Sequence, residues 1–171
     1  MPRTLILSGE RVRRTINRLA FEVIEHNRGV ENLVIVGVRS GGTGLAEALA
    51  AHIHHNEGHA VRVEHLDVTE YRDDRDRTVP RPAPLARPAT IDDRDVLLVD
   101  DVLFTGRTAR AALDAIVHLG RPRSIQLLVL IDRGHREYPI QANFVGRTIQ
   151  TKHIEQVVVD AGDSFAVYIA E

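Results

Sequence analysis

Apolar residues fall into two kinds of pattern along this chain. After Ser8, the residues Val12, Ile16, Leu19, Ala20 and Val23 recur at helical spacing, with Ser8 placed to cap and Glu10 in the first turn. Asn27-Arg28-Gly29 supplies the stop. Leu33-Val34-Ile35-Val36-Gly37-Val38 then runs apolar without a break, as a strand buried on both faces does. Gly41, Gly42 and Gly44 follow, and the spacing predicts a helix over 45–55, ended by Gly58. Residues 61–68 are β-rich. Val96-Leu97-Leu98-Val99 and the run 125–131 read as two more buried strands. A helix lies between them, from near Thr105 to Gly120, with Pro122 beyond. Phe144-Val145, Val157-Val158-Val159 and 165–169 read as short strands, the last two a hairpin across Ala161-Gly162-Asp163. This alternation predicts an α/β fold, a central and mainly parallel sheet flanked by helices, with a small β annex from the later strands.

One segment breaks the pattern. Residues 70–88 hold Asp73, Asp74, Arg75, Asp76 and Arg77, then Pro80, Pro82, Pro84 and Pro88. Prolines at that density fit neither a packed helix nor a central strand, so the segment reads as a mobile excursion and not as a linker. The 171 residues therefore make a single domain. Acidic residues number 24 and basic 22, which excludes wholesale electrostatic binding of nucleic acid but leaves room for a local basic face. Cysteine is absent, so disulfides and thiolate chemistry are excluded, in keeping with a cytoplasmic protein. No apolar run reaches the length that spans a bilayer, and the N-terminus lacks a signal-peptide pattern.

The chemistry concentrates in Val96-Leu97-Leu98-Val99-Asp100-Asp101-Val102-Leu103-Phe104-Thr105-Gly106-Arg107-Thr108. An apolar strand delivers two acids to its carboxyl end, where ligands collect in α/β sheets. A short loop then opens a helix whose first N–H groups and positive dipole end suit an anion. Thr105 and Thr108 add hydroxyls, and Gly106 lets the backbone approach a phosphate. Carboxylates that accept from hydroxyls, beside a phosphate cup, suit a sugar phosphate.

This motif resembles the ribose-phosphate site of type I phosphoribosyltransferases, which use phosphoribosyl pyrophosphate (PRPP) with Mg2+. Four further stretches resemble the PyrR family: 36–46, Asp67-Val68-Thr69-Glu70-Tyr71-Arg72-Asp73-Asp74, Gly120-Arg121-Pro122 and Asp132-Arg133-Gly134-His135-Arg136-Glu137. The match runs from about Arg13 to Thr151. The resemblance implies a uracil phosphoribosyltransferase in the type I fold, which makes UMP and also attenuates pyrimidine-operon mRNA. It implies that Asp100 and Asp101 hold the ribose hydroxyls and shape catalysis, and that Thr105, Gly106, Arg107 and Thr108 bind the 5′-phosphate. Arg39, Ser40, Gly41 and Gly42 would meet pyrophosphate through a strained or cis peptide. Tyr71 and Arg72 would start the loop, 70–88, that closes over PRPP. A hood over 132–151 would carry Arg133, Phe144 stacked on the base, and Val145 offering backbone hydrogen bonds. Arg14, Arg18, His135 and Arg136 would be phosphate contacts for RNA. Mg2+ would ride on substrate oxygens without a dedicated protein cage, and the assembly would be a homodimer or larger.

Departures qualify the match. Ser40-Gly41-Gly42 stands where PyrR loops commonly carry Thr-Arg-Gly, and it resembles purine phosphoribosyltransferase loops. Phe104 replaces the usual Tyr, while Asn17, Phe21 and His26 replace polar or basic residues suited to RNA. The stretch after Thr151 matches poorly. The alternatives are thus a hypoxanthine or guanine phosphoribosyltransferase, or chiefly an RNA-binding regulator. His52, His55 and His59 share helical spacing but read better as a solvated face than as a metal site.

Overall fold

The strand side chains alternate between two cores. Ile35, Leu97, Val99, Leu128 and Leu130 pack under one pair of helices, while Val34, Val36, Val96, Leu98 and Val129 face the opposite side. Period-two alternation in a sheet covered on both faces produces this division. The chain is described here from a computed structural model covering residues 2–71, 91–160, 162 and 164–171.

Five parallel strands form the main sheet: β2 (Leu33–Val38), β3 (Arg62–Leu66), β4 (Asp95–Leu103), β5 (Ser124–Asp132) and β6 (Phe144–Thr148), in the order β3-β2-β4-β5-β6. Helices α1 (Gly9–Asn27) and α2 (Gly41–Glu57) cover one face, and α3 (Arg107–Leu119) covers the other. Ser8 caps α1 through the amide of Arg11, and Arg28, in the left-handed region, closes it by donating to Glu25 and Ile24. The buried face of α3 is Ile116 with Ala109, Ala111, Ala112 and Ala115, whose small side chains let the helix lie close on the strands.

Three expectations change in the structure. The glycine run is the first turn of α2, four residues ahead of the expected start. Strand β4 continues through both acids to Leu103 and does not stop at Val99. Residues 144–148 complete the main sheet as an edge strand, whereas the small sheet is antiparallel, built from β1 (Arg3–Leu7), β8 (Val167–Ala170) and β7 (Gln156–Val159). The β7–β8 hairpin forms as expected, closed by the Asp160 amide on the Ala166 carbonyl. Strand β1 has no period-two signature because Arg3, Thr4 and Leu5 are all exposed. From Arg72 to residue 88, the expected mobile loop lies outside the described residues.

Candidate active site

Register places the functional segments side by side. Val38 pairs with Leu66, Asp100 with Val129, and Leu103 with Asp132, so 39–42, 100–108 and 133–136 all leave the carboxyl end of one sheet. The Arg39–Ser40 peptide bond is cis, as the resemblance implied. Gly41 and Gly42 are needed by sterics rather than flexibility. A Cβ at Gly41 would fall inside the Asp101 carboxylate, and one at Gly42 inside the Val99 carbonyl. The glycine loop and the acid pair therefore touch, although 59 positions separate Ser40 from Val99 in sequence.

Asp100 accepts from the Asp101 amide at 2.9 Å, and Asp101 accepts from the Val102 amide at 2.7 Å. Burial, reinforced by the charge of Asp101, pushes the Asp100 carboxyl well above the usual carboxylate range. A pair in this state gains from hydroxyl donors or a cation placed against it. Its oxygens are the hard donors that Mg2+ takes, so the residues fit that ion as a companion of a phosphorylated substrate. Among the described residues no group of three or more His, Asp or Glu side chains is arranged to hold a metal. His52, His55 and His59 belong to no such group; the half-buried His52 has its pKa lowered by desolvation, then by His55 and Arg13.

Gly106, at φ 87°, turns the chain into α3, whose first-turn amides have no carbonyl partner within the helix. The segment after β5 wraps this loop. Glu137 and Tyr138 donate their amides to the Thr105 carbonyl at 2.8 and 3.0 Å. The Arg107 guanidinium binds Glu137 at 2.6 Å and the Tyr138 hydroxyl at 2.8 Å, and its amide donates to Thr105 Oγ1 at 3.3 Å.

The remaining expected residues are placed as follows. Phe144 is 5% exposed in the core, edge-on to His26 of α1, so it presents no free face for stacking. It starts β6, and the strand must run four residues further to reach the carboxyl end. Arg133 is 6% exposed and sends its donors to Thr151, Lys152 and His153, so it does not reach a base directly. Arg136 is equally committed, to Asp132 at 2.6 Å and to the Ile140 and Phe104 carbonyls. Arg18 joins Glu22 and the Gly146 carbonyl at 2.6 Å, tying α1 to β6. The Val145 carbonyl meets the same guanidinium at 3.4 Å. His135 contacts the Thr151 carbonyl at 2.7 Å. Arg14 remains exposed, paired with Glu10. Tyr71 is buried against His118 of α3, an anchor for the loop rather than a face of the site; Arg72 lies outside the described residues. Thr151 and His153 carry no motif in sequence, because the return after β6 alone brings them here.

Comparison with known proteins agrees with this geometry. The family described as phosphoribosyl transferase domain matches residues 3–162. The chain is 45% identical to the Bifunctional protein PyrR of Bacillus subtilis (strain 168), over 97% of each chain. It is 53% identical to that of Chloroflexus aurantiacus, over 90% of this chain and 86% of the other. The hypoxanthine phosphoribosyltransferase of Trypanosoma cruzi superposes with a TM-score of 0.72 at 22% identity, covering 97% of this chain and 95% of that one, a likeness of fold. The chain belongs to the phosphoribosyl transferase domain family, and within it to the PyrR proteins.

Proposed function

We propose that this phosphoribosyltransferase takes uracil as its base, converting uracil and PRPP to UMP and pyrophosphate. The observation that carries the reading is the Asp100–Asp101 pair seated against Gly41, beside the amides that open α3. Asp100 and Asp101 accept from the ribose hydroxyls. Thr105, Gly106, Arg107 and Thr108 surround the 5′-phosphate, and Arg39, Ser40, Gly41 and Gly42 face the pyrophosphate. The C1′–O bond to pyrophosphate breaks, the C1′–N bond to the base forms, and the N–H proton of the base is lost. Positive charge grows at C1′ on the way, and the paired carboxylates lie where they stabilise it. Mg2+ bound with PRPP neutralises charge on the departing pyrophosphate. Residues 1–171 act as one domain, with 70–88 as the loop that closes over PRPP, started by Tyr71 and Arg72, and 132–151 as the hood. Val145 offers its backbone to the base.

Uracil is favoured by kinship with the PyrR proteins, while the double glycine at 41–42 keeps hypoxanthine and guanine as the competing bases. Pyrophosphate release with uracil, hypoxanthine, guanine, adenine and orotate separates them. Turnover with uracil alone is expected, and turnover with a purine instead would overturn the assignment.

The relatives are named as bifunctional, which supports a second activity: UMP-dependent binding of a pyrimidine-operon leader RNA. Arg14 and Arg18 on α1, with His135 and Arg136 after β5, are the residues proposed to meet its phosphates; Arg14 and Arg18 are exposed. Binding that tightens with UMP and weakens steeply with salt is expected; absence of UMP dependence would remove this activity. A homodimer or larger assembly and a cytoplasmic location complete the proposal. Among the described residues no helix is long and apolar enough to cross a membrane.

A further inference from the structure

Phe104 lies between the acid pair and the phosphate loop, and two arginines pin it. Arg136 donates to its backbone carbonyl at 2.9 Å. The Arg133 guanidinium lies over its ring, 4.0 Å from the centroid. Arg133 also donates its amide to the Leu103 carbonyl at 3.0 Å, its Nε to Thr151 Oγ1 at 3.1 Å, and an Nη to the Lys152 carbonyl at 2.9 Å. One buried side chain thus staples the loop after β4 to the return after β6. His153 meets the Phe104 ring at 5.3 Å and His135 at 5.8 Å, with 5.5 Å between the two imidazoles. The Thr151 carbonyl can only accept, so His135 donates from Nε2, 2.7 Å away.

We infer that Arg133 is a positioning residue for the nucleobase, acting through Phe104 and the 151–153 return. The inference rests on the phosphoribosyl-transfer reading above. A nucleophile reaches C1′ from the side opposite its leaving group. The pyrophosphate loop follows β2 and the acids lie on β4, so the base enters from beyond β4, over β5 and β6. The Arg133–Phe104 staple is the structure on that side. Phe104 leads into the phosphate loop, but the far end of the staple is the 151–153 return, so its loss is expected to weaken the base more than the phosphate. Arginine suits the position because its planar fork stacks and donates at once, which an ammonium cannot do.

The test compares wild type with Arg133→Met, Arg133→Lys, Phe104→Leu and Phe104→Tyr, using whichever base the wild type turns over. Arg133→Met and Phe104→Leu are expected to raise KM for the base about tenfold while KM for PRPP stays within about twofold. The double variant is expected to be no worse than the poorer single one, as for partners in one contact. Phe104→Tyr, which keeps the ring, is expected to recover most of the base affinity. Arg133→Lys is expected to fall on the side of Met. Titration with UMP and with ribose 5-phosphate gives a readout independent of turnover: the variants weaken UMP and spare ribose 5-phosphate. Equal rises in both KM values, additive effects, or equal weakening of both ligands would overturn the inference and leave Arg133 a structural residue. Wild-type silence with every base would instead sink the catalytic reading. The UMP comparison would still decide whether Arg133 positions the base.

Discussion

Asp100 and Asp101 occupy neighbouring positions but differ in environment. Asp101 lies against Gly41, whereas the Asp100 carboxyl is desolvated and faces its neighbour's charge. Asp101→Asn is expected to lower turnover by about 10²-fold or more, since it removes negative potential beside the reacting carbon; steady-state kinetics of the variant checks this. Asp100 predicts a pH effect of definite sign. The folded chain keeps that proton to a higher pH than the unfolded chain does. Stability without ligand therefore falls as pH rises from the ordinary carboxylate range to the raised value, then levels off. Asp100→Asn is expected to flatten this decline in thermal melts across pH. Asp95 behaves in the opposite sense. Its hydrogen bond with Arg123 lowers its pKa, helped by Ser124 and opposed by burial, so it stabilises the fold above the ordinary carboxylate range and loses that effect as acid protonates it. Asp95→Asn is expected to soften the acid limb of the same melts.

At the level of elements, close approach explains the glycines. A Cβ at Gly42 would collide with the Val99 carbonyl, which is backbone and cannot swing away. Gly42→Ala is expected to cost about 1–3 kcal/mol in denaturant unfolding, the ordinary range for overpacking, and to lower turnover by shifting the 39–42 loop. The strands β2, β4 and β5 and the helices α1 and α3 were legible as elements because their apolar periods are long and their caps ordinary. The start of α2 was not, because glycine has poor helix propensity and only the contact with β4 requires it there. Strand β1 was missed for the converse reason: it is an exposed partner of β8 with no buried face along most of its length. Segment 132–137 was legible as a motif following a buried strand, but the contacts its side chains make were not. Its arginines reach inward to carbonyls and carboxylates of the loop after β4, so their positive charge serves the fold before it can serve a ligand.

For the molecule as a whole, one sheet carries both cores and the site, so ligand binding and stability are linked. PRPP with Mg2+ at a hundred times its dissociation constant is expected to stabilise the folded chain by about 2.7 kcal/mol. A rise in melting temperature with PRPP and Mg2+, much reduced in Asp101→Asn, would show it; an unchanged melting temperature in wild type would argue against a PRPP site here. In the proposed function the substrate parts would divide along the strand order β2-β4-β5-β6, with pyrophosphate after β2, ribose at β4, and the base over β5 and β6.

The sequence by itself determined the α/β class, the acid pair at the end of a strand, the turn into the next helix and the family, because each is written in contiguous residues whose periodicity or spacing has a local physical cause. Only the tertiary structure decided what depends on distant segments meeting. It placed Gly41 under Asp101, committed Phe144 to the core beneath α1, and spent Arg18, Arg133 and Arg136 on partners up to 128 positions away. An arginine in a sequence shows that a charge is present. Its burial and the carbonyls around it determine whether that charge meets a ligand or holds the chain together.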